Sequence, residues 1–162
     1  MNILRICKVL VCIPLALFAL LTGIDNLIDY GSNYSFVRHV LSMDTVFSNN
    51  TLKWRAIDQP IIWHFAYAMI ISGEILTGVL LSIGAIGLAR RIHSRDQFIR
   101  AKNWVYLGCT TGFLVWFFGF LVIGGEWFSM WQSDKWNGAQ AAFRFVVVIM
   151  LVMIFIAMPE EE

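Results

Sequence analysis

The chain has 162 residues, of which 59% are hydrophobic and only 14% are charged, and its net charge is +1. A soluble domain needs roughly 25% charged residues for its polar surface, so this composition excludes an ordinary soluble fold. The near-neutral charge also excludes the basic stripe that binds nucleic acid, and we expect no nucleic-acid partner. A mean hydropathy of +0.70 instead predicts that the lipid bilayer surrounds the chain.

Four apolar runs divide the chain, at about residues 8–27, 61–89, 104–124 and 139–158. Each run reaches the roughly 20 residues that a helix needs to cross the hydrocarbon core. Helices suit such runs because backbone polar groups in lipid must be satisfied internally. The sequence therefore predicts an all-α integral membrane four-helix bundle, built as one four-span domain over residues 1–162.

Basic residues are concentrated in two segments outside the spans. They are Arg5 and Lys8 near the N-terminus, and Arg90, Arg91, Arg95, Arg100 and Lys102 after the second span. Lys and Arg are enriched in the cytoplasmic connections of membrane proteins. We therefore expect both termini in the cytoplasm, a long first outer loop over residues 28–60, and a short Trp-rich second outer loop over residues 125–138.

Part of the long loop is itself helical in pattern. Apolar residues recur there at helical spacing, namely Phe36, Val37, Val40 and Leu41. Such a helix either lies on the membrane surface or packs on the bundle as a lid, and the spacing does not distinguish the two arrangements.

Charged residues inside the spans are the main candidates for a site, because each is costly to insert into lipid. A rise of 1.5 Å per residue places Asp25, Glu74 and Arg144 at depths of about 25, about 24 and about 22 Å from the inner boundary. Since all three reach one level, we expect them to meet in an intramembrane polar cluster. Tyr67 lies on the same face of the second helix as Glu74, so its phenol belongs to the predicted cluster.

Three interpretations of this cluster remain open. An ion pair between Glu74 and Arg144 would join two helices without further function. Two acids facing one base would leave a site for a proton, a cation or a polar ligand. Helix tilt would separate the residues altogether.

The second outer loop carries a group of polar and aromatic residues that we treat as an outer motif: Glu126, Trp127, Trp131, Trp136 and Asn137. Indole rings prefer the headgroup zone, so most of these tryptophans are expected to anchor the protein there. Gly108 and Gly112 form a small-xxx-small pair on the third span, extended by Gly119, and predict a helix-packing seam.

Other chemistry is missing from the sequence. His39, His64 and His93 fall in separate segments, which argues against a metal or haem site. The three cysteines, Cys7, Cys12 and Cys109, are odd in number and predict no disulfide framework. We expect no cofactor, no metal and no enzymatic activity.

Short motifs across most of the chain suggest a family. They are Gly124-Gly125-Glu126-Trp127, Met130-Trp131-Gln132-Ser133, Trp136-Asn137-Gly138, Ala142-Phe143-Arg144, Ala66-Tyr67 and Gly73-Glu74. In these motifs the chain resembles an uncharacterised bacterial family of predicted small integral membrane proteins, a domain of unknown function. The resemblance implies a four-span protein of the bacterial cytoplasmic membrane with the motif segment outside, and it implies no activity, substrate or cofactor.

The sequence supports three hypotheses of function. The first is a non-enzymatic assembly or accessory subunit, whose partner is itself or another membrane protein. The alternative is a small transporter or channel component with an outward-facing polar site at Asp25, Glu74 and Arg144. The third is a lipid- or quinone-binding protein, suggested by the aromatic residues around Trp116 on the third span.

Overall fold

The computed structural model describes residues 3–160, in which every regular element is a helix and no strand occurs. Four helices are long and apolar enough to cross a membrane: α1 (Ile3–Ile28), α3 (Pro60–Arg90), the third span (Arg95–Trp127) and α5 (Ala139–Ala157). The predicted all-α fold with four candidate spans is confirmed. The first and third spans begin earlier than predicted, because the helices continue through the basic residues that flank their apolar runs.

The third span changes its helix type halfway along. It begins as α4 (Arg95–Phe113) and continues as a π-helix, Leu114–Trp127. The backbone N–H of Phe128 closes that helix on the carbonyl of Ile123, five residues back, at 3.0 Å. π-Helices are rare, and single π-turns within α-helices are frequently found at functional sites. The altered repeat rotates every later side chain away from the face that an α-helix predicts.

Glycines bring the spans into close contact. A Cβ added to Gly108 would lie 2.7 Å from the Leu81 side chain and 3.0 Å from its backbone nitrogen, so α4 packs directly on α3 there. Gly112 packs against Ile149 of α5 in the same way, at 3.0 Å. The predicted seam therefore includes these two glycines. Gly119 is not part of it, because it lies in the π-helix and has only its own backbone nearby.

A fifth α-helix, α2 (Tyr30–Ser42), covers one end of the bundle. Its Val37 and Val40 are buried, and Val37 packs with Tyr67 and Ile71 of α3. The Phe36 ring stacks on Phe120 of the π-helix with their centroids 6.1 Å apart. Of the two arrangements open from the sequence, the structure shows the lid packed on the bundle.

We call the end of the bundle that carries α2 and the two long connections the loop end. There the first connection binds the second through Gln132, whose Oε1 accepts hydrogen bonds from the Phe47 N–H at 3.1 Å and the Asn50 side chain at 2.9 Å. The Thr45 hydroxyl donates to the Ser133 hydroxyl at 2.9 Å. Both connections therefore form one cap over the spans.

The opposite end, which we call the basic end, is held by a buried ion cluster. The carboxylate of Glu160 is fully buried, and its Oε1 contacts the ammonium groups of Lys8 and Lys102 at 2.6 Å each. Its Oε2 lies 3.3 Å from Nε of Arg5. Both lysines also donate to the carbonyl of Met158, at 2.6 and 3.0 Å. The cluster ties α1, α4 and the segment after α5 together.

Sequence reasoning missed this cluster. It used Lys8 and Lys102 only as markers of topology and predicted no partner for them. Burial alone would raise the pKa of Glu160, but the hydrogen bonds and charges of Lys102 and Lys8 outweigh burial and hold that pKa below its ordinary value.

Replacement of Glu160 by Gln should destabilise the bundle. The change leaves two buried ammonium groups without a counter-charge, and we expect a loss of about 3 kcal/mol at neutral pH. Because the pKa of Glu160 is lowered by folding, its contribution is present above the ordinary carboxyl pKa and disappears as the pH falls through the lowered value. Thermal unfolding in detergent from neutral to acidic pH measures both effects.

The matched control for this experiment is Asp96→Asn, which removes an exposed carboxylate at the same end. Wild type and this control should lose stability in parallel as the pH falls. The Glu160→Gln variant should start lower and lose less over the same interval. Equal melting curves for all three proteins would contradict the assigned ion cluster.

Candidate functional site

A buried hydrogen-bonded network lies in the half of the bundle nearest the loop end. Glu74 of α3 is only 2% exposed, and its Oε2 accepts a hydrogen bond from Nδ2 of Asn26 at 2.7 Å. Oδ1 of Asn26 in turn accepts from Nδ2 of Asn33 at 2.5 Å. The Tyr67 hydroxyl donates to the backbone carbonyl of Asn26 at 3.1 Å. One residue of α1 therefore joins α2 and α3 through a carboxylate and two amides.

The local sequence explains how this network is positioned. On α3, the residues Tyr67, Ile71 and Glu74 share one buried face, as their spacing predicts. On α1, Gly23 lies one turn before Asn26, and a Cβ there would lie 2.7 Å from the Ile75 side chain. The missing side chain lets α1 approach α3 closely enough for the short amide to reach Glu74.

The predicted intramembrane cluster forms only in part. Glu74 and Tyr67 lie on the same buried face, whereas Asp25 and Arg144 are both exposed on the surface of the bundle. Within residues 3–160, neither of these two charges forms an ion pair. The expected meeting of Asp25 and Arg144 with Glu74 is therefore wrong.

Asp25 and Arg144 miss Glu74 because their side chains point in other directions around the helix axes, although their predicted depth was correct. Asn26 adjoins Asp25 and reaches Glu74, so these helices do meet at the predicted level. Successive residues of an α-helix point about 100° apart, however, and a one-residue difference moves a side chain from the core to the lipid. On α5, Ala142 and Phe145 face the inside while Arg144 faces out.

A cavity of about 230 Å³ opens beside the network. Its polar lining comes from Thr22, Asn26, Asn33, Tyr67 and Glu74. The rest of the lining is apolar or glycine: Phe36, Val37, Ile70, Trp116, Phe120, Gly138, Ala141, Ala142 and Phe145. The polar groups thus converge on one side of a small space that aromatic rings otherwise enclose.

A second cavity of about 420 Å³ lies between α2, α3 and the π-helix. Apart from Thr111, every residue that lines it is apolar or glycine. Met69, Leu114 and Phe118 are among its lining residues and are at least half exposed, so the cavity opens on the lipid-facing surface. It is the larger and the more apolar of these two spaces.

The two cavities are neighbours. Four residues line both of them, namely Phe36, Val37, Ile70 and Phe120. Two of these residues come from the lid α2, one from α3 and one from the π-helix. A single layer of side chains therefore separates the polar space at Glu74 from the apolar space that faces lipid. Sequence reasoning did not anticipate this pairing, because it depends on where the lid packs.

The outer motif contributes to the cap and not to this site. The Trp127 ring lies 4.3 Å from the guanidinium of Arg55. The Trp136 ring stacks on His39 at 4.5 Å, and Asn137 Oδ1 accepts a hydrogen bond from the Ala139 N–H at the start of α5. Glu126 and Trp131 are exposed.

The histidines of the loop end make ordinary polar contacts. Nδ1 of His64 lies 2.8 Å from the Tyr30 hydroxyl, and Nδ1 of His39 lies 2.7 Å from Asp44. Over residues 3–160, no group of three or more metal-ligating side chains converges.

The network can be separated from the predicted ion pair by two substitutions. Asn26→Leu keeps the number and branching of the side-chain heavy atoms but removes the donor to a buried carboxylate, and we expect a loss of about 2 kcal/mol in unfolding free energy. Arg144→Gln should change stability by less than about 0.5 kcal/mol, because this side chain is exposed and unpaired in the described chain. Thermal unfolding of both variants in one detergent measures the difference. A larger loss from Arg144→Gln would contradict the geometry.

Comparison with known proteins supports the membrane assignment. The family model described as "Predicted small integral membrane protein (DUF2165)" matches residues 4–159. No curated protein and no solved structure matches the chain. The family match covers almost every described residue, including the four candidate spans and the motifs that suggested the resemblance. The chain therefore belongs to the DUF2165 family of small integral membrane proteins.

Proposed function

We propose that this integral membrane protein is a non-enzymatic binding protein for a lipid-soluble molecule with a hydrogen-bonding head. The head would occupy the polar cavity at Glu74, and the apolar part would occupy the neighbouring cavity that opens to lipid. One observation carries the proposal: the two cavities share the side chains of Phe36, Val37, Ile70 and Phe120.

The size and lining of the cavities support a small amphipathic ligand. Ligand sites are typically about 300 to 1,000 Å³, mostly apolar, with a few convergent polar groups. The apolar cavity of about 420 Å³ falls in that range, and the polar cavity of about 230 Å³ is suited to a headgroup. The proposal is thus close to the lipid- or quinone-binding hypothesis of the sequence analysis.

The chemistry of Glu74 indicates which hydrogen-bonding groups the polar head of the ligand should carry. An ionised carboxylate only accepts hydrogen bonds, and Asn26 supplies one donor to it. Within residues 3–160, no cation pairs with this carboxylate. A hydroxyl or amine in the cavity would supply a second donor and stabilise the buried charge. A ligand head that donates hydrogen bonds is therefore favoured over one that only accepts them.

The transporter hypothesis has less support. It required Asp25, Glu74 and Arg144 to form one polar site open to the outside, and two of these side chains are exposed away from the cavity. We propose binding at Glu74 and no conducting path through it.

We also propose the orientation expected from the sequence, with the basic end in the cytoplasm of a bacterial cell. Lys8, Arg90, Arg91 and Lys102 all lie at that end, and basic residues favour the cytoplasmic side. In this orientation the Glu74 cavity lies in the outer leaflet, and the ligand would reach it from there.

Ligand binding can be tested with alkyl probes of equal length. Dodecanol and dodecylamine carry donor heads, whereas dodecyl methyl ether only accepts hydrogen bonds. Native mass spectrometry should show tighter binding of the two donor probes to the wild type. Glu74→Gln should reduce the preference for donor heads by about tenfold, because it removes a charged acceptor.

Two matched substitutions on α3 locate the apolar part of the site. Ala66 lines the apolar cavity, so Ala66→Phe should fill it and weaken the binding of all three probes. Ala68 is exposed and lines neither cavity, so Ala68→Phe should bind the probes as the wild type does. Equal affinities for both variants would contradict the proposed site.

An accessory role in a larger assembly is the second candidate function. Its support is the exposure of Trp54 and Trp131, whose side chains are 72% and 53% exposed at the loop end. Large indoles are enriched in protein interfaces, and two lie here on one cap. Native mass spectrometry from nanodiscs should show a defined oligomer that Trp131→Ser disrupts. A monomer at every protein loading would contradict self-assembly.

A further inference from the structure

We propose that the basic end carries a second site, which binds the phosphate group of an anionic phospholipid. The site is a cavity of about 560 Å³ between α3 and α4. It is lined by Ile83, Ile86, Gly87, Arg90, Arg91, Gln97 and Trp104. It shares no lining residue with the two cavities near Glu74, so it is independent of the function proposed there.

The lining of this cavity changes from apolar to basic along α3. Ile83, Ile86 and Arg90 follow one another at spacings of three and four residues, which places them on one face of the helix. The two isoleucines are 41% and 52% exposed, and Arg90 lies about 10 Å beyond Ile83 and about 6 Å beyond Ile86 along the helix axis. An acyl chain against the isoleucines would therefore bring its phosphate to the level of the arginine.

Arg91 is held in a position that suits this phosphate. Its Nη1 donates a hydrogen bond to the Gly87 carbonyl at 3.2 Å, so the side chain folds back over the helix. Gly87 leaves space for it, since a Cβ there would lie 3.3 Å from the same nitrogen. A guanidinium has five N–H donors, and this contact uses one of them.

The cations of the basic end fall into two sets. Lys8 and Lys102 both form ion pairs with Glu160 within the protein. Arg90 and Arg91, by contrast, form no ion pair within residues 3–160, and both are exposed. The second set faces the cavity, where an external anion can reach it.

Trp104 adds an indole ring to this cavity, as expected of a site that binds a lipid headgroup. Its indole lines the cavity from α4 and is 44% exposed, and indoles prefer the headgroup zone of a bilayer. Anionic lipids attract basic residues near the membrane surface, and basic pockets between spans bind their headgroups. Positive charge above an apolar groove thus favours an anionic phospholipid over a zwitterionic one.

The test compares phosphatidylglycerol and phosphatidylcholine of identical acyl chains, bound to the purified protein and measured by native mass spectrometry. The wild type should prefer phosphatidylglycerol. Arg90→Gln should weaken phosphatidylglycerol binding by about fivefold, the effect expected for one basic residue near the membrane surface. Arg100→Gln removes an exposed charge of α4 that lies outside the cavity, and it should leave binding unchanged.

Two further arms distinguish a lipid from a free anion. Ile86→Trp keeps every charge and fills the groove, so it should weaken phosphatidylglycerol binding as well. Inorganic phosphate should not displace the lipid at millimolar concentration. Equal loss from Arg90→Gln and Arg100→Gln, full binding by Ile86→Trp, or displacement by phosphate would each overturn the proposal. Thermal unfolding of each variant confirms that it is folded.

Discussion

The hydrogen bond from Asn26 to Glu74 is the interaction on which the loop-end half of this protein depends. A carboxylate inside a membrane span is costly, and its cost falls only when nearby groups satisfy it. Here the donor comes from a neighbouring span, at 2.7 Å, so satisfying the charge also joins α1 to α3. Asn33 extends the same chain to the lid. The carboxylate, its two amides and the polar cavity therefore form one unit.

The two ends of the bundle are held in different ways. At the basic end, Glu160 joins two lysines in a fully buried cluster. At the loop end, α2 packs on α3 and the π-helix through apolar side chains, and spaces remain on both sides of Phe36 and Phe120. The proposed ligand site at Glu74 thus lies in the half of the bundle that the lid covers.

The sequence alone predicted the four long helices and the depth at which the site lies along them. Long apolar runs gave the four candidate spans, and the rise per residue gave the level at which α1 and α3 meet. It was not sufficient for the rotation of each helix, which placed Asn26 inside and Asp25 outside. The π-helix and the Glu160 cluster were also missed, because one alters the side-chain repeat and the other joins residues over 150 positions apart. Both depend on tertiary contacts.

Cysteine cross-linking tests the central geometry most directly, in a background where Cys7, Cys12 and Cys109 are replaced by serine. The pair Asn26→Cys with Glu74→Cys should be joined rapidly by a short bifunctional thiol reagent, because a hydrogen bond of 2.7 Å connects the ends of the native side chains. The pairs Asp25→Cys with Glu74→Cys and Arg144→Cys with Glu74→Cys should remain unlinked. Rapid cross-linking of either latter pair, with none between positions 26 and 74, would contradict the account.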